Sequence, residues 1–267
     1  MADSTGLQVR GLAKSYGGVH AVKNLGFTLQ PGECVALIGP NGAGKSTTFA
    51  CIAGQQAPSA GQLLWNGRRL EALNPAQRLC LGIARTFQVA QTFEALTLLQ
   101  NVQLVLPGPL VLTPWTVLEH AQPQRALNML ARVGLQDQAT LAASDLPYGA
   151  KKRLELAMAL AGLEGRGQEA GLLLLDEPAA GLAAAERAAL MQLVHGLTRT
   201  HKGTGQLAVL YTEHNMDAVF GVADRVLVLM EGRLAAACTA QEVAANEDVR
   251  SQYLGRSFQA AGRGSHA

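Results

Sequence analysis

Short apolar runs without polar interruption recur along the chain, and they predict strands that are buried on both faces. They occupy residues 35–38, 172–175 and 207–210. Runs of this kind are typical of a parallel sheet that helices cover on both sides. Apolar positions at three- and four-residue spacing over residues 124–133 and 152–163 predict helices. The central plan predicted from the pattern is therefore α/β.

The N-terminal part of the chain has a different pattern, which predicts a small antiparallel sheet. Residues 7–10 and 26–29 alternate between apolar and more polar positions, as half-buried strands do. Asn66-Gly67 follows the apolar residues 63–65 and is a strong signal for a hairpin turn. The fold class that we predict is α/β with a mainly parallel sheet, a small N-terminal antiparallel β subdomain and an inserted helical subdomain.

The helical pattern predominates from residue 89 to residue 165, which predicts that residues 89–165 form the inserted subdomain. Residues 1–88 and 166–255 then form the core, so that residues 1–255 make a single domain. The last residues, 256–267, are rich in small and polar types and predict a flexible tail.

Composition and charge exclude some classes of function. The chain of 267 residues is 48% hydrophobic, which suffices for a large core. Its 22 basic and 20 acidic residues leave a net charge of only +2, so we expect no nucleic-acid partner. No apolar segment is long enough to span a bilayer, so a membrane role requires a partner. The four cysteines form no CxxC pair, which predicts neither a zinc site nor disulfides and favours a reducing cytoplasm.

A glycine-rich loop lies between the apolar run of residues 35–38 and a helix predicted over residues 48–53. It consists of Gly39, Pro40, Asn41, Gly42, Ala43, Gly44, Lys45, Ser46 and Thr47. Glycines allow backbone N–H groups to surround phosphate oxygens, and the start of the following helix adds partial positive charge. We expect Lys45 to reach the β- and γ-phosphates of a nucleotide and the Ser46 hydroxyl to bind Mg²⁺.

Two adjacent carboxylates, Asp176 and Glu177, follow the buried run of residues 172–175. They are therefore expected at the carboxyl edge of the sheet, where α/β proteins bind ligands. Asp176 suits the binding of Mg²⁺, directly or through water, and Glu177 suits the general base that polarises an attacking water. Together with the phosphate loop, this pair predicts a Mg²⁺-dependent nucleoside triphosphatase.

The order of motifs resembles the ATP-binding subunit of an ABC transporter over nearly the whole chain, to about residue 255. The motifs are Tyr16, the loop of residues 39–46, Gln88, Leu146-Pro147-Tyr148-Gly149, Asp176-Glu177 and His214. Four segments are similar to the branched-chain amino acid importer branch of that family. They are residues 85–88, Tyr148-Gly149 with residues 152–155, residues 176–182 and residues 253–255. The resemblance implies a P-loop NTPase (RecA-like) core, with ATP and Mg²⁺ as cofactors.

The resemblance also implies roles for individual side chains. Tyr16 is expected to stack on adenine. Gln88, where the helical subdomain begins, is expected to touch Mg²⁺ or the attacking water and to sense a membrane partner. His214 follows the apolar run of residues 207–210 and is expected to point toward the γ-phosphate.

The chain departs from the family at the signature loop, which usually reads Leu-Ser-Gly-Gly-Gln. Pro147 supplies neither a hydroxyl nor a backbone N–H where the family's serine grips the γ-phosphate held by the opposite subunit, and Ala150 replaces the glutamine. The N–H groups of Tyr148 and Gly149 remain as donors at the start of the following helix. Proline is comfortable in the first turn of a helix, so a tolerated variant is the alternative interpretation. Ala183 stands where the family usually has an acidic or amide residue.

The resemblance implies an importer ATPase that clamps ATP against a second ATP-binding subunit, in a heterodimer or a homodimer. Its further partners would be transmembrane permease subunits and, indirectly, a periplasmic or extracellular solute-binding protein. The implied location is the cytoplasmic face of the plasma membrane. Branched-chain or related amino acids are the expected solutes.

Two other functions stay open at this point. A soluble cassette protein of nucleic-acid repair or translation usually has two phosphate loops or a long coiled coil, and neither pattern appears in the sequence. A weakly hydrolysing regulatory cassette would explain the altered signature loop. It is opposed by four intact residues, which are Lys45, Asp176, Glu177 and His214.

Overall fold

Ten strands and seven α-helices make up the part of the chain that the computed structural model describes, which is residues 5–108, 122–165, 170–199, 206–239 and 242. The strands are β1 (Leu7–Tyr16), β2 (Val19–Leu29), β3 (Cys34–Ile38), β4 (Ala60–Trp65), β5 (Arg68–Arg69), β6 (Ile83–Arg85), β7 (Ala170–Asp176), β8 (Gln206–Thr212), β9 (Arg225–Met230) and β10 (Arg233–Cys238). The helices are α1 (Lys45–Ala53), α2 (Pro75–Cys80), α3 (Leu98–Gln103), α4 (Pro123–Arg132), α5 (Tyr148–Leu163), α6 (Ala184–Arg199) and α7 (Met216–Phe220). None of these helices has the length and apolar character needed to cross a bilayer. The predicted tail of residues 256–267 lies outside the described residues.

The central sheet has six strands in the order β10-β9-β3-β8-β7-β6. The five strands from β9 to β6 are parallel, and β10 pairs antiparallel with β9 at one edge. All residues of β3 are buried, as are residues 172–175 of β7 and residues 207–210 of β8. Strands covered on both faces have no solvent-facing position for a polar side chain, and this explains the unbroken apolar runs in the sequence. The predicted α/β class with a mainly parallel sheet is confirmed.

A second sheet of four antiparallel strands, in the order β2-β1-β4-β5, is formed by the N-terminal part of the chain. Its buried side chains share one core with α1 and with one face of the central sheet. Asn66 and Gly67, which connect β4 to β5, have φ angles of 49° and 75°. Positive φ at both central residues is what a two-residue hairpin of type I′ requires, so the predicted hairpin is confirmed.

The other face of the central sheet continues into a helical region. Helix α3 packs against α4 and α5, and α4 packs against α5. Leu98 of α3, Leu130 of α4 and Leu154 of α5 belong to the same buried cluster as Leu173 of β7. The helical region therefore has no core of its own that is separate from the sheet, and the division into subdomains at residues 89 and 165 stays a prediction.

Two helices begin earlier than the sequence pattern predicts. Helix α1 begins at Lys45, not at residue 48, and α5 begins at Tyr148, not at residue 152. The first residues of both helices are polar, aromatic or small, so the apolar periodicity starts only one turn later. Pro147 is accordingly the N-cap residue of α5, with φ −62° and ψ 156°, and does not lie in its first turn.

Candidate functional site

Neighbouring strands enclose the phosphate loop, which connects β3 to α1. Gly39 and Gly44 have φ angles of 153° and 101°. A Cβ atom would lie 2.2 Å from the Leu229 carbonyl oxygen at Gly39, and 2.5 Å from the Ala21 carbonyl oxygen at Gly44. Only glycine fits at these two positions, so β2 and β9 fix the curvature of the loop. Gly42, with φ 79°, would have no heavy atom within 4 Å of an added Cβ, which places it on the open side of the loop.

Lys45 is buried, and the loop itself binds its ammonium group. Nζ donates to the carbonyl oxygens of Gly39 at 2.6 Å and of Pro40 at 3.1 Å. Burial lowers the pKa of Lys45, whereas Glu177 and Asp176 act in the opposite direction. An ammonium group that rests on backbone carbonyls at the start of a helix can exchange them for phosphate oxygens, which are stronger acceptors.

Asp176 is held at the end of β7 by two donors. Its Oδ2 accepts from Arg85 at 2.7 Å, and its Oδ1 accepts from the Thr212 hydroxyl at 2.9 Å. Each carboxylate oxygen has a second lone pair, so Asp176 still offers acceptors to a metal-bound water. Ser46 is exposed in the first turn of α1. These groups fit Mg²⁺ that is held by the Ser46 hydroxyl and, through water, by Asp176.

Glu177 contacts the two other residues that the sequence analysis assigns to catalysis. Nε2 of Gln88 donates to Oε2 of Glu177 at 2.9 Å, and Nε2 of His214 lies 2.7 Å from Oε1. The backbone N–H of Glu177 donates to the Thr212 hydroxyl at 3.0 Å. The backbone of Glu177 has φ 47°, in the left-handed region that residues with a side chain rarely adopt. Strain of this kind is typical of positions at which the direction of the side chain matters for function.

Two buried charged residues of α5 hold the backbone that carries Gln88. Lys152 and Glu155 are 4% and 6% exposed. Nζ of Lys152 donates to the carbonyl oxygens of Phe87 at 3.1 Å and Gln88 at 2.5 Å, and Oε1 of Glu155 accepts from the Phe87 N–H at 2.9 Å. The sequence pattern predicts the helix but not these contacts, because the partners are backbone atoms at least 64 residues away.

Glu213 is a second buried carboxylate to which the sequence analysis assigned no role. Its Oε1 accepts from the Ala179 N–H at 3.0 Å, and its Oε2 accepts from the His214 N–H at 3.2 Å. Burial raises the pKa of Glu213, although these backbone donors oppose the rise. Glu213 therefore ties the turn after Glu177 to the turn that carries His214. The only signal in the sequence is a charged residue directly after a buried strand.

Tyr16 lies at the end of β1, where a tight turn pairs it with Val19. Its side chain is 46% exposed, and the ammonium group of Lys14 is 5.0 Å from the ring centroid. Strand β2 leads from this turn to Ala21, whose carbonyl oxygen borders the phosphate loop at Gly44. The structure thus places an accessible aromatic ring on the strand pair beside the loop, and its stacking on adenine stays a prediction.

Tyr148 and Gly149 lie at the start of α5, against the segment that follows the paired carboxylates. A Cβ atom on Gly181 would lie 3.3 Å from the Tyr148 ring, and one on Gly149 would lie 3.3 Å from Oε1 of Glu186. As the first two residues of the helix, Tyr148 and Gly149 have N–H groups without an intrahelical acceptor. Pro147 before them is exposed. This end of α5 therefore offers N–H donors to an anion from outside the chain.

A groove of about 350 Å³ lies beside the site, between α2 and α5. Its wall is mostly apolar and includes Leu79 and Phe87, together with Arg85 and Glu155. Arg85 binds Asp176, and Glu155 binds the Phe87 N–H. The wall of the groove thus includes one residue that contacts Asp176 and one that contacts the backbone next to Gln88.

The arrangement suits transfer of a phosphoryl group to water. Lys45 and the loop N–H groups can bind the charged oxygens of a triphosphate, and the carboxylate of Glu177 can accept a proton from water. Gln88 and His214 fix the orientation of the Glu177 carboxylate through its two oxygens. The arrangement can thus supply positioning, charge stabilisation and a base in one place.

Comparison with known proteins agrees with this chemistry. The family model described as ABC transporter matches residues 22–180. The high-affinity branched-chain amino acid transport ATP-binding protein LivG of Escherichia coli (strain K12) is 37% identical over 260 residues, which cover 93% of this chain and 97% of that protein. The corresponding protein BraF of Pseudomonas aeruginosa is 31% identical, with the same two coverages of 93% and 97%. The ribose import ATP-binding protein RbsA 3 of Rhizobium meliloti is 30% identical over 91% of this chain but only 45% of its own length.

Solved structures with the same fold are also similar to this chain. The ADP conformation of an ATP-binding cassette of an ABC transporter superposes with a TM-score of 0.80 and 25% identity, over 94% of this chain and 98% of that one. A nucleotide-free cassette from an ABC transporter gives a TM-score of 0.79 and 25% identity, over 93% and 98% of the two chains.

Proposed function

Because this chain belongs to the ABC transporter family, as one of its ATP-hydrolysing, ATP-binding subunits, we propose that it couples ATP hydrolysis to the uptake of a solute through a membrane permease. The observation that carries the proposal is the contact of Glu177 with both Gln88 and His214 beside an intact phosphate loop. Branched-chain or related amino acids are the solutes that we propose, since LivG and BraF are named for their transport. The chain then works at the cytoplasmic face of the membrane, attached through the permease.

The site residues divide the work of binding and hydrolysing ATP. Tyr16 stacks on the adenine, and the loop of residues 39–47 surrounds the phosphates. Lys45 leaves the loop carbonyls and binds the β- and γ-phosphates. Glu177 accepts the proton of the attacking water, while Gln88 and His214 hold the water and the γ-phosphate in line.

Mg²⁺ would be held by the Ser46 hydroxyl and, through water, by Asp176, with Gln88 close to the same position. When bound, it neutralises the charge that develops on the phosphates. Arg85 keeps its bond to Asp176 in this arrangement, which fixes the direction of the carboxylate.

We place the permease in the groove between α2 and α5. Its apolar wall suits an apolar segment of the partner. Two of its residues connect it to the site, because Arg85 contacts Asp176 and Phe87 directly precedes Gln88. If the permease binds the groove more tightly in one state of the nucleotide site, its binding shifts the nucleotide site toward that state. By the same coupling, a change at the nucleotide site changes the conformation that the permease prefers.

Purification of the tagged full-length chain from its native membranes, followed by reconstitution in vesicles, tests the function. We expect permease subunits to copurify and labelled leucine to accumulate with ATP, but not in a complex that carries Glu177→Gln. Labelled ribose serves as the control solute, because a ribose importer subunit is among the relatives. Uptake of ribose without leucine would refute the amino acid assignment. ATP hydrolysis without any copurifying permease would refute the transport function.

The second ATP-binding subunit is, in our proposal, a related but different chain. In a face-to-face dimer, each ATP lies between the phosphate loop of one subunit and the signature loop of the other. This chain's own ATP site is intact, whereas its exposed Pro147 would face the partner's nucleotide. The site built on Lys45 and Glu177 then hydrolyses faster than the site that faces Pro147.

Pro147→Ser tests this asymmetry. Serine restores a hydroxyl and a backbone N–H, and we expect about 1.5–3 kcal/mol of added interaction with the γ-phosphate, the range for hydrogen bonds to charged groups. Single-site turnover is measured with the general base of one subunit disabled at a time, and Pro147→Ala is the control that restores only the N–H. Equal rates at the two sites, unchanged by serine, would identify the proline as a tolerated variant. A complex that contains only this chain would establish a homodimer.

A further inference from the structure

We propose that Lys152 and Glu155 are positioning residues for ATP hydrolysis, because they hold the backbone of Phe87 and Gln88 so that the Gln88 side chain meets Glu177. The inference rests on the ATPase activity alone and does not depend on the solute or on the permease.

The shortest bonds of this buried pair go to the backbone and not to each other. Nζ of Lys152 is 2.5 Å from the Gln88 carbonyl oxygen but 3.9 Å from Oε2 of Glu155. Glu155 accepts from the Phe87 N–H at 2.9 Å and also receives a backbone hydrogen bond from Gln91. If the main interaction of Lys152 and Glu155 were their own ion pair, the ammonium and carboxylate groups would lie within hydrogen-bond distance of each other. Here the two charges meet the donors and acceptors of residues 87–91.

That segment has few other constraints, because it lies in the irregular connection between β6 and α3. Phe87 is 41% exposed, and Gln88 is exposed as well. A buried charged pair commonly stabilises a protein no better than apolar residues of the same size would. The contribution of Lys152 and Glu155 is instead to fix the backbone of Phe87 and Gln88, which does not belong to a sheet or a helix.

The contacts form a continuous path from α5 to the catalytic base. Lys152 binds the Gln88 carbonyl oxygen, and Nε2 of Gln88 donates to Glu177 at 2.9 Å. A displacement of about 1 Å would break the latter bond, and misplacement on that scale costs catalysis up to about 100-fold. Burial lowers the pKa of Lys152, but Glu155, Asp176, Glu213 and Glu177 all favour its ammonium form.

The same helix carries the residues that would face the partner's nucleotide. Tyr148 lies one helical turn before Lys152, and the Lys152 ammonium group is 5.8 Å from the centroid of its ring. A rotation of α5 that moves Tyr148 therefore also moves the backbone of Gln88.

Lys152→Met in the full-length chain tests the proposal, with Lys151→Met as the matched control. Lys151 is the neighbouring residue, and its ammonium group pairs with the exposed Glu94 at 2.9 Å. We expect Lys152→Met to lower kcat for ATP about 10- to 100-fold while KM changes less than about twofold. Lys152→Arg should restore most of the rate, because the guanidinium group also donates to two carbonyl oxygens. A kcat of Lys152→Met equal to that of Lys151→Met would overturn the proposal.

A double-mutant cycle separates positioning from a general effect on folding. If Lys152 acts through Gln88, the kcat of Gln88→Ala/Lys152→Met equals that of Gln88→Ala alone, whereas additive losses would overturn the proposal. Should Lys152→Met fail to fold, Glu155→Gln keeps the size and one acceptor of the residue. We expect that variant to lower kcat about fivefold, with the same non-additivity toward Gln88→Ala, and an unchanged kcat would also overturn the proposal.

Discussion

Glu177→Gln is the most direct perturbation of the site, because it changes the chemistry of one side chain and leaves its shape. In the parent chain, the two oxygens of Glu177 meet Gln88 at 2.9 Å and His214 at 2.7 Å. The amide oxygen of glutamine retains an acceptor for one of them, while its NH₂ group is a donor. If the amide oxygen accepts from Gln88, the bond to His214 survives when Nε2 of the histidine becomes the acceptor, which a change of tautomer allows.

The size of the expected effect follows from the loss of the base. A positioned general base contributes roughly 10²–10⁴ in rate, or about 2.7–5.4 kcal/mol at 1.36 kcal/mol for each factor of ten. We expect kcat to decrease by a factor within this range. The Kd for MgATP should change little, because the phosphate loop is unaltered. One of the two carboxylates that favour the ammonium form of Lys45 is removed, but Asp176 remains.

The assay combines equilibrium binding of MgATP with single-turnover release of phosphate by the full-length chain. Glu94→Gln is the matched control, since Glu94 is an exposed carboxylate whose partner is Lys151. We expect normal binding and hydrolysis in the control, and normal binding without hydrolysis in Glu177→Gln. Turnover of Glu177→Gln close to that of the control would refute the assignment of Glu177 as the base. Loss of ATP binding would instead show that Glu177 holds the nucleotide.

Three further predictions concern the loop and the groups around it. Lys45→Ala should weaken MgATP binding about 10-fold or more, as loss of hydrogen bonds to a charged group does, and equal nucleotide affinity in titrations of mutant and parent would contradict the phosphate-loop assignment. Gly44→Ala should lower the melting temperature more than Gly42→Ala. Both glycines have positive φ, but only at Gly44 would the added Cβ also lie 2.5 Å from a carbonyl oxygen. Equal melting temperatures of the two variants would show that the loop can shift. Burial raises the pKa of Glu213, so its contribution to the free energy of unfolding is complete below the ordinary pKa of 4.5 and declines as the pH rises through the raised pKa. When urea unfolding is measured from pH 4 to pH 8, the free energy of unfolding should therefore decline less in Glu213→Gln than in the parent. Identical pH profiles of the two proteins would show that the titration of Glu213 does not affect stability.

The parts of the site that are local in sequence are those that the sequence predicted best. The phosphate loop and the paired carboxylates each lie within a few residues of a buried strand, so a strand-end position could be expected for both. The family resemblance implies separate roles for Gln88 and His214, but their joint contact with Glu177 is not predicted, because these three residues come from different parts of the chain. Periodicity placed the start of α5 four residues late, since it registers only apolar faces.

Sequence patterns do not predict the buried charged residues that hold the backbone of the site, and the reason is physical. Lys152, Glu155 and Glu213 act through backbone N–H and C=O groups, which every residue carries and which no motif records. Their burial is equally invisible, because a charged residue on a helix is normally expected at the surface. Only the three-dimensional packing shows that these charges face inward.

The left-handed backbone of Glu177 has a consequence for engineering this protein. A residue with a side chain at φ 47° carries an intrinsic strain of about 1–2 kcal/mol, which glycine avoids and asparagine partly relieves. A laboratory selection that rewards heat resistance alone would therefore tend to enrich these two residues at position 177, and each enriched clone would lack the base. Libraries for a more durable variant need a screen for turnover in every round, because at this position durability and activity favour different amino acids.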